Sequence, residues 1–245
     1  MAVVFEKTPS MTGKTFHYCP GCSHGIVHRL VAEVIDEMNL AGKTIGIAPV
    51  GCAALAYEYL NFDFIQSAHG RAPAVATAVR RCQPDAVVFT YQGDGDLASI
   101  GTSEIIHAAL RRENFTTIFV NNAIFGMTGG QMSPTSLINQ RTTTSVKGRD
   151  KTATGSPLKV CEMLSTIEGA SFIERTSVHN ALNIKRTKKA IRSAFENQLR
   201  RGGFSLVEVI AACPVGWGMN PPDALQWLEK NMLEYYPLGN FCNQQ

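Results

Sequence analysis

Two short polar segments have the residue types needed to hold a diphosphate group and a divalent cation. Gly93-Asp94-Gly95-Asp96 follows the apolar run 85–91, and Asn121-Asn122 follows the apolar run 116–120. Glycines let the backbone approach a phosphate closely, and carboxylate and amide oxygens are ligands that suit Mg²⁺. A strand followed by a glycine turn and an Asp helix cap explains the first segment equally well when it is taken alone. The second segment favours a ligand site, because two strands then carry polar residues at their ends.

Four of the seven cysteines also lie where they could act together. Cys19 and Cys22 form a CxxC motif directly before a predicted helix, while Cys52 and Cys213 each follow a predicted strand. Four thiolates can hold an iron-sulfur cluster or a zinc ion, and the spacing does not choose between them. A CxxC pair can also be a redox dithiol or a coincidence. The remaining cysteines are predicted to be small buried apolar residues: Cys82, Cys161 and Cys242.

The elements that must position these residues alternate between helices and short apolar strands. Strands are predicted at 44–48, 62–66, 85–91, 116–121, 171–174 and 204–211. Helices are predicted at 23–39, from about 51, and at 72–82, 97–112, 158–168, 183–201 and 223–233. This order predicts an α/β fold, a mostly parallel sheet with helices on both faces. Because ligands bind at the carboxyl edge of such a sheet, both polar segments are expected there.

The composition excludes several other classes of protein. The chain has 245 residues, of which 44% are hydrophobic and 18% charged, and its formal net charge is +3. This is an ordinary globular composition, and the small charge gives no reason to expect nucleic-acid binding. No apolar run approaches the roughly 20 residues of a membrane span. The N-terminal segment lacks the pattern of a signal peptide, so we expect a cytoplasmic protein without a membrane anchor.

One long segment, 132–157, shows no periodicity and is rich in Ser, Thr, Gly and Pro. A loop of this length inside a compact domain is usually functional or mobile. We expect it to fold over a ligand or to contact a partner, and a disordered insertion is the alternative.

The helix predicted at 183–201 is strongly basic. It could dock an acidic partner, although a solvated helix face is the simpler interpretation. Its cations are Lys185, Arg186, Lys188, Lys189, Arg192, Arg200 and Arg201.

The order of the motifs resembles that of one enzyme family. The GDG segment, one α/β unit and then Asn121-Asn122 resemble the signature of thiamine-diphosphate enzymes. The segment 125–131 (FGMTGGQ) is similar to the loop after the metal site in 2-oxoacid:ferredoxin oxidoreductases. The motifs CPGC, GC, HGR, GDGD, NN, TGGQ and ACP occur in this order between about residues 16 and 218. The chain therefore resembles the beta subunit of that family over most of its length.

The resemblance implies a thiamine-diphosphate-binding fold and a set of site residues. Residues 1–245 would be a single domain with an N-terminal cluster-binding segment and a C-terminal extension. Magnesium would be held by the Asp94 carboxylate, the Asn122 side chain and the backbone oxygen of Ile124. The cofactor-binding residues would be His69, Gly93, Asp94, Gly95, Asp96, Asn122, Thr128 and Gly129. The ligands of one four-iron four-sulfur cluster would be Cys19, Cys22, Cys52 and Cys213.

The resemblance also implies an activity and a set of partners. The reaction would be the coenzyme-A-dependent oxidative decarboxylation of a 2-oxoacid, with electrons passed through the cluster to ferredoxin. Chains of this size and motif style resemble the 2-oxoisovalerate and 2-oxoglutarate branches more than the pyruvate branch. The glutamate that activates the thiamine ring is expected on a partner alpha subunit, so the isolated chain is expected to be inactive. Gamma and ferredoxin-like delta subunits are expected as well, and the basic helix could dock ferredoxin.

Two other functions stay open on the sequence alone. A thiamine-dependent decarboxylase or synthase without a cluster would use the two polar segments and leave the four cysteines idle. A zinc-bound structural subunit would use the cysteines and leave the diphosphate motif idle.

Overall fold

Seven strands form one sheet in the computed structural model, which describes residues 6–243 of the chain. The strands are β1 (Thr44–Ala48), β2 (Asp63–Gln66), β3 (Val87–Gly93), β4 (Thr116–Asn121), β5 (Ala170–Ser177), β6 (Phe204–Ile210) and β7 (Gly239–Asn243). Their order across the sheet is β2-β1-β3-β4-β6-β5-β7. The first six strands are parallel to their neighbours, and β7 runs antiparallel to β5 at one edge. The predicted α/β class with a mostly parallel sheet is confirmed.

Helices connect the strands, as the alternating pattern predicts. They are α1 (His24–Glu37), α2 (Ala56–Tyr59), α3 (Ala72–Cys82), α4 (Thr102–Leu110), α5 (Lys151–Thr154), α6 (Val160–Ser165), α7 (Ala181–Leu199), α8 (Pro214–Trp217), α9 (Pro221–Trp227) and α10 (Leu233–Tyr235). A 3₁₀ turn precedes β1 at Ala41–Lys43, and π-helical turns occupy Asp96–Ile100 and Leu228–Met232. No helix within residues 6–243 is both long and apolar enough to span a membrane.

Both faces of the sheet are apolar and covered. Successive side chains of a strand point to opposite faces, and β3 follows this rule. Phe89 and Tyr91 lie in a buried cluster with Val31 of α1 and Phe195 of α7. Val88 lies in a second buried cluster on the other face, which α3, α4 and α6 help to form. Two covered faces explain why the central strands are apolar throughout instead of alternating.

The helix predicted at 97–112 differs in one respect from the prediction. It begins with the π-helical turn Asp96–Ile100, and regular α4 starts only at Thr102. The break coincides with Gly101, where an added Cβ would lie 2.4 Å from the Asp96 carbonyl oxygen and 2.7 Å from that of Gly70. The backbones approach each other so closely that the helix is distorted there.

Two further elements depart from the predictions. The helix expected from about 51 is a series of turns that leads into the short α2. The antiparallel edge strand β7 was not predicted, because residues 239–243 (GNFCN) show no β-branched run or alternation.

The loop 132–157 is packed against the protein. Apart from α5 it contains no regular helix or strand among the described residues, yet Ser133, Thr135, Leu137 and Arg149 are buried. The alternative of a disordered insertion is therefore wrong for this segment.

The basic helix α7 is in part occupied by internal ion pairs. Lys188 contacts Glu33 and Glu37 of α1 at 2.7 and 2.6 Å, and Arg192 also contacts Glu37. Lys188 and Arg192 are therefore turned towards α1, whereas the other five cations are exposed, and docking of a partner stays a prediction.

Candidate functional site

The two polar segments meet at the carboxyl edge of the sheet. β3 and β4 are neighbouring parallel strands in which Gly93 lies opposite Val120. The chain leaves β3 into Asp94 and leaves β4 at Asn121. The predicted convergence of the GDGD and NN segments is therefore what the strand register produces.

The Asp94 carboxylate is buried and held by several donors. It accepts hydrogen bonds from the backbone N–H of Gly95 at 2.8 Å and of Ile124 at 2.9 Å, and from the Thr135 hydroxyl at 3.0 Å. Burial raises the pKa of this carboxyl to about 6, although these donors and the Ser133 hydroxyl act in the opposite direction. A divalent cation beside it would stabilise the ionised form and displace the proton.

The turn after β4 brings the other predicted ligands next to Asp94. The Ile124 N–H that donates to Asp94 also lies 3.3 Å from the Asn122 side-chain oxygen. Ala123 has a positive φ of 56°, and its N–H donates to the Asn121 side chain at 3.1 Å. In the loop 132–157, the Ser136 hydroxyl and the Gln140 amide donate hydrogen bonds to the Ala123 carbonyl at 2.6 and 2.9 Å. Asp94, Asn122 and Ile124 are thus held together on a restrained turn, and their role as metal ligands stays a prediction.

A cleft of about 390 Å³ opens beside these groups. This volume is in the range of small-molecule sites. Seven of the eight predicted cofactor-binding residues line it: His69, Gly93, Asp94, Gly95, Asp96, Asn122 and Thr128. Gly129 is not among them. A Cβ added at Gly93 would meet no protein atom within 4 Å. The space beside this glycine is therefore not filled by protein atoms and is open to a ligand.

The Asp96 side chain is directed into the protein. It is 1% exposed and accepts hydrogen bonds from the N–H groups of Val50 and Gly70 at 3.2 and 2.9 Å and from the Gln92 amide at 2.7 Å. His69 Nδ1 lies 2.6 Å from the same carboxylate. The expectation that Asp96 lines a diphosphate thus applies only to its backbone, whereas His69 lines the cleft itself.

Four cysteines lie near one another, and one of them, Cys52, lines the same cleft. Cys19 and Cys22 lie in the CPGC turn before α1, Cys52 follows β1, and Cys213 precedes α8. A Cβ added at Gly126 would lie 3.1 Å from the Cys213 sulfur and 3.7 Å from the Cys52 sulfur. Those two thiols therefore lie over Gly126, which itself lines the cleft.

The four thiols lie close enough to affect one another's pKa values. Burial raises the pKa of the Cys22 thiol to about 11 and that of Cys213 to about 12, and it raises that of Cys52 as well. The charge of Cys52 raises the pKa of both Cys22 and Cys213, and that of Cys19 raises the pKa of Cys22 and Cys52. Binding of a cationic group would release their protons.

The assignment of these four cysteines to an iron-sulfur cluster stays a prediction. Within residues 6–243, no three His, Cys, Asp or Glu side chains are arranged to hold one metal ion. A cubane cluster is larger than an ion, so its four ligands need not approach a common point. Of the other cysteines, Cys161 is buried as predicted, Cys242 is half-buried, and Cys82 is exposed on the last turn of α3. The prediction of burial is wrong for Cys82.

Several residues of the site were missed by sequence reasoning. Ser133 and Thr135, which contact Asp94, lie in a Ser- and Thr-rich loop in which no local pattern marks two positions. His24 lines the cleft from α1 and resembles any other residue of an amphipathic helix in sequence. Gln92 was detectable, because it is a lone polar residue between an apolar strand and the GDGD segment.

Comparison with known proteins gives a consistent match. Residues 49–209 match the family described as thiamine pyrophosphate enzyme, C-terminal TPP binding domain. This stretch contains both polar segments and the HGR motif.

Individual relatives are subunits of 2-oxoacid-converting enzymes by name. Ketoisovalerate oxidoreductase subunit VorA of Methanothermobacter thermautotrophicus is 44% identical over 238 residues, which are 97% of this chain and 50% of the relative. The chain thus spans about half the length of that relative. The 2-oxoglutarate synthase subunit KorB of Methanocaldococcus jannaschii is 33% identical, over 88% of this chain and 78% of its own.

A solved structure has the same fold. The 2-oxoglutarate:ferredoxin oxidoreductase from Magnetococcus marinus, solved with 2-oxoglutarate, coenzyme A and succinyl-CoA bound, superposes with a TM-score of 0.82. It is 25% identical, and the match covers 96% of this chain and 84% of the other.

Proposed function

Because the chain belongs to the thiamine-pyrophosphate-binding beta subunits of the 2-oxoacid:ferredoxin oxidoreductase family, we propose that it supplies the cofactor site of such an enzyme. The proposed reaction is the oxidative decarboxylation of a 2-oxoacid to an acyl-CoA, with electrons passed to ferredoxin. The observation that carries this proposal is the meeting of Asp94, Asn122 and Ile124 beside a cleft that Gly93 leaves open.

In this proposal the chain binds and orients the cofactor. Asp94, Asn122 and the Ile124 backbone oxygen would hold Mg²⁺, which would supply positive charge for the diphosphate. In its doubly protonated form, His69 would donate to a phosphate oxygen through Nε2 while Nδ1 donates to Asp96. Bound thiamine diphosphate would supply the carbanion that attacks the keto carbon, which is chemistry that no side chain can provide.

The four cysteines are proposed to hold one four-iron four-sulfur cluster as the electron acceptor. Support comes from the coupling among Cys19, Cys22, Cys52 and Cys213 and from the placement of Cys52 on the wall of the cofactor cleft. A redox centre beside the cofactor shortens the path for electrons. We place the enzyme in the cytoplasm, where thiols stay reduced.

The partner is proposed to complete the site. The acidic residues that line the cleft within residues 6–243 are Asp94 and Asp96, and the carboxylates of both accept several protein hydrogen bonds. No glutamate lines it in this part of the chain. We therefore assign the glutamate that activates the thiamine ring to an alpha subunit, with gamma and ferredoxin-like delta subunits as further partners.

The substrate is proposed to be an apolar branched 2-oxoacid such as 2-oxoisovalerate. The described residues that line the cleft include Val50, Ile100 and Met127, all exposed, and include no Lys or Arg. The second carboxylate of 2-oxoglutarate would need a cation, which residues 6–243 do not place on the wall of the cleft. The relative with the higher identity of the two compared above is named for ketoisovalerate.

The test is to purify the chain anaerobically with its co-expressed partner and to measure bound metal and cofactor. We expect about four irons and about four sulfides per chain, as one cubane cluster requires, together with thiamine diphosphate. Asp94→Asn is expected to lose thiamine diphosphate and keep iron, whereas Asp85→Asn, at an exposed position before β3, keeps both. Cys52→Ser is expected to lose iron, and the exposed Cys82→Ser is not.

Other outcomes would decide for the two alternatives. Thiamine diphosphate without iron would indicate a non-redox decarboxylase or synthase. Zinc without thiamine diphosphate would indicate a structural subunit. A higher kcat/KM for 2-oxoglutarate than for 2-oxoisovalerate in the assembled enzyme would contradict the substrate assignment.

A further inference from the structure

The guanidinium of Arg149 is buried at the centre of the loop 132–157. The residue is 4% exposed. Its Nη1 donates to three carbonyl oxygens within residues 133–136 at 2.6 to 3.3 Å. Its Nη2 and Nε donate to three carbonyl oxygens within residues 154–156 at 3.1 to 3.3 Å. One side chain therefore ties together two stretches near the two ends of the loop.

The partners of this cation are backbone dipoles. No Asp or Glu within residues 6–243 forms an ion pair with Arg149, so carbonyl oxygens satisfy its N–H groups. A guanidinium has five N–H donors in a fixed planar fork, which suits a set of six surrounding carbonyls. An apolar side chain at this position would remove the donor from the carbonyl of the buried Ser136, which is costly.

The first of the two stretches touches the predicted metal site. The Thr135 hydroxyl donates to the Asp94 carboxylate at 3.0 Å. The Ser136 hydroxyl donates to the carbonyl of Ala123 at 2.6 Å, in the turn that carries Asn122. Residues 133–136 thus contact the chain after β3 and the turn after β4, which supply the predicted ligands. Arg149 donates hydrogen bonds to the backbone carbonyls of the same residues.

We propose that Arg149 is a positioning residue for the metal and diphosphate site, acting through residues 133–136 on Asp94 and on the turn after β4. In this role the loop 132–157 is part of the scaffold of the site, with its ends joined, and is not a cover that opens and closes over it. The inference rests on the proposed function only in naming Mg²⁺ and thiamine diphosphate as the ligands.

The test uses the partner complex and measures binding of Mn²⁺ alone, and then of thiamine diphosphate with Mn²⁺, by electron paramagnetic resonance and calorimetry. Loss of residues that orient metal ligands typically weakens metal affinity by about 10- to 100-fold, and we expect Arg149→Met to fall in that range. Arg149→Lys keeps fewer donors and is expected to weaken binding by a smaller factor. Arg141→Met, at an exposed position of the same loop, is the matched control.

A second variant separates positioning from folding. Thr135→Val removes the hydroxyl on Asp94 and leaves Arg149 in place, so it is expected to weaken Mn²⁺ binding with little change in the urea midpoint. If Arg149→Met does not fold, Arg149→Lys and Thr135→Val carry the test. Limited proteolysis of the ligand-free complex is expected to cut the loop faster in Arg149→Met than in the control.

The outcomes distinguish this inference from the proposed function. A wild-type complex that binds neither Mn²⁺ nor thiamine diphosphate would contradict both. Wild-type binding that is matched by Arg149→Met, Arg149→Lys and Thr135→Val would overturn the positioning role and leave the proposed function intact. A lower unfolding midpoint with unchanged Mn²⁺ affinity would likewise overturn it, because it would show a purely structural role.

Discussion

The Glu208 carboxylate accepts a hydrogen bond from the side-chain amide of Asn121 at 2.8 Å, and both residues are fully buried. Glu208 lies on β6, beside the strand that ends at Asn121. Its other oxygen contacts Nε of Arg175 on β5 at 2.7 Å and the Cys161 thiol at 2.9 Å. Since the Asn121 oxygen in turn accepts the N–H of Ala123, a buried network extends across three strands to the turn of the site.

We expect Arg175→Met to destabilise the chain strongly. Removing one member of a buried ion pair typically costs about 3–5 kcal/mol, because the other charge is left uncompensated. The double variant Arg175→Met with Glu208→Gln should recover part of this loss. Urea unfolding of wild type, the two single variants and the double variant measures the coupling energy between Arg175 and Glu208. Additive effects of the two changes on the free energy of unfolding would contradict the prediction.

Gly126→Ala should reduce the iron content. The new Cβ would lie 3.1 Å from the Cys213 sulfur and 3.7 Å from that of Cys52, which is the space the thiolates need around a cluster. We expect iron per chain to fall to roughly half or less of wild type, as when ligand orientation is disturbed. Gly42→Ala is the control, since its Cβ would meet nothing within 4 Å. Equal iron in both variants would show that the four cysteines do not share a cluster at this place.

Gly93→Ala should weaken the binding of thiamine diphosphate without destabilising the chain. The added Cβ meets no protein atom within 4 Å but projects into the space proposed for the cofactor. An intruding methyl group costs about 1–3 kcal/mol, which corresponds to a roughly 5- to 150-fold increase in the dissociation constant. Calorimetric titration checks the affinity and thermal unfolding checks the stability. Unchanged affinity would place the diphosphate elsewhere.

Acid should destabilise the chain through His28. This side chain is fully buried, its Nδ1 has no hydrogen-bond partner among the described residues, and its Nε2 lies 2.6 Å from the Tyr18 hydroxyl. Burial, with the charges of His24 and His17, holds its pKa well below the ordinary value. His28 therefore binds a proton near pH 6.5 in the unfolded chain but stays neutral in the folded chain at that pH. The free energy of unfolding falls as the pH drops below that value.

The expected loss for this one histidine is up to about 1.4 kcal/mol per pH unit. Urea unfolding at pH 7.5 and 5.5 measures it. His28→Gln should show a smaller difference between the two pH values, while His107→Gln, at an exposed position of α4, should match wild type. An equal pH dependence in all three would assign the effect to other groups.

Local patterns in the sequence predicted much of the sheet and the meeting of the two polar segments at its carboxyl edge. The bounds of β1, β4 and α3 match the predicted 44–48, 116–121 and 72–82. Apolar runs, alternation and helical periodicity are properties of neighbouring residues, so they are visible in the chain itself. Polar residues directly after two such strands also predicted where a ligand would bind.

The rest depended on contacts between residues far apart in the chain. Thr135 reaches Asp94 across 41 positions, and no local signal distinguishes it from the other Ser and Thr residues of its loop. The edge strand β7 forms because its backbone pairs with that of β5. The composition of β7 alone does not predict a strand. The resemblance groups the four cysteines, while the meeting of Cys52 and Cys213 beside Gly126 is a property of the folded chain. Local propensities determined the elements, and only packing decided which side chains meet, because a long-range contact depends on both partners and on everything that positions them.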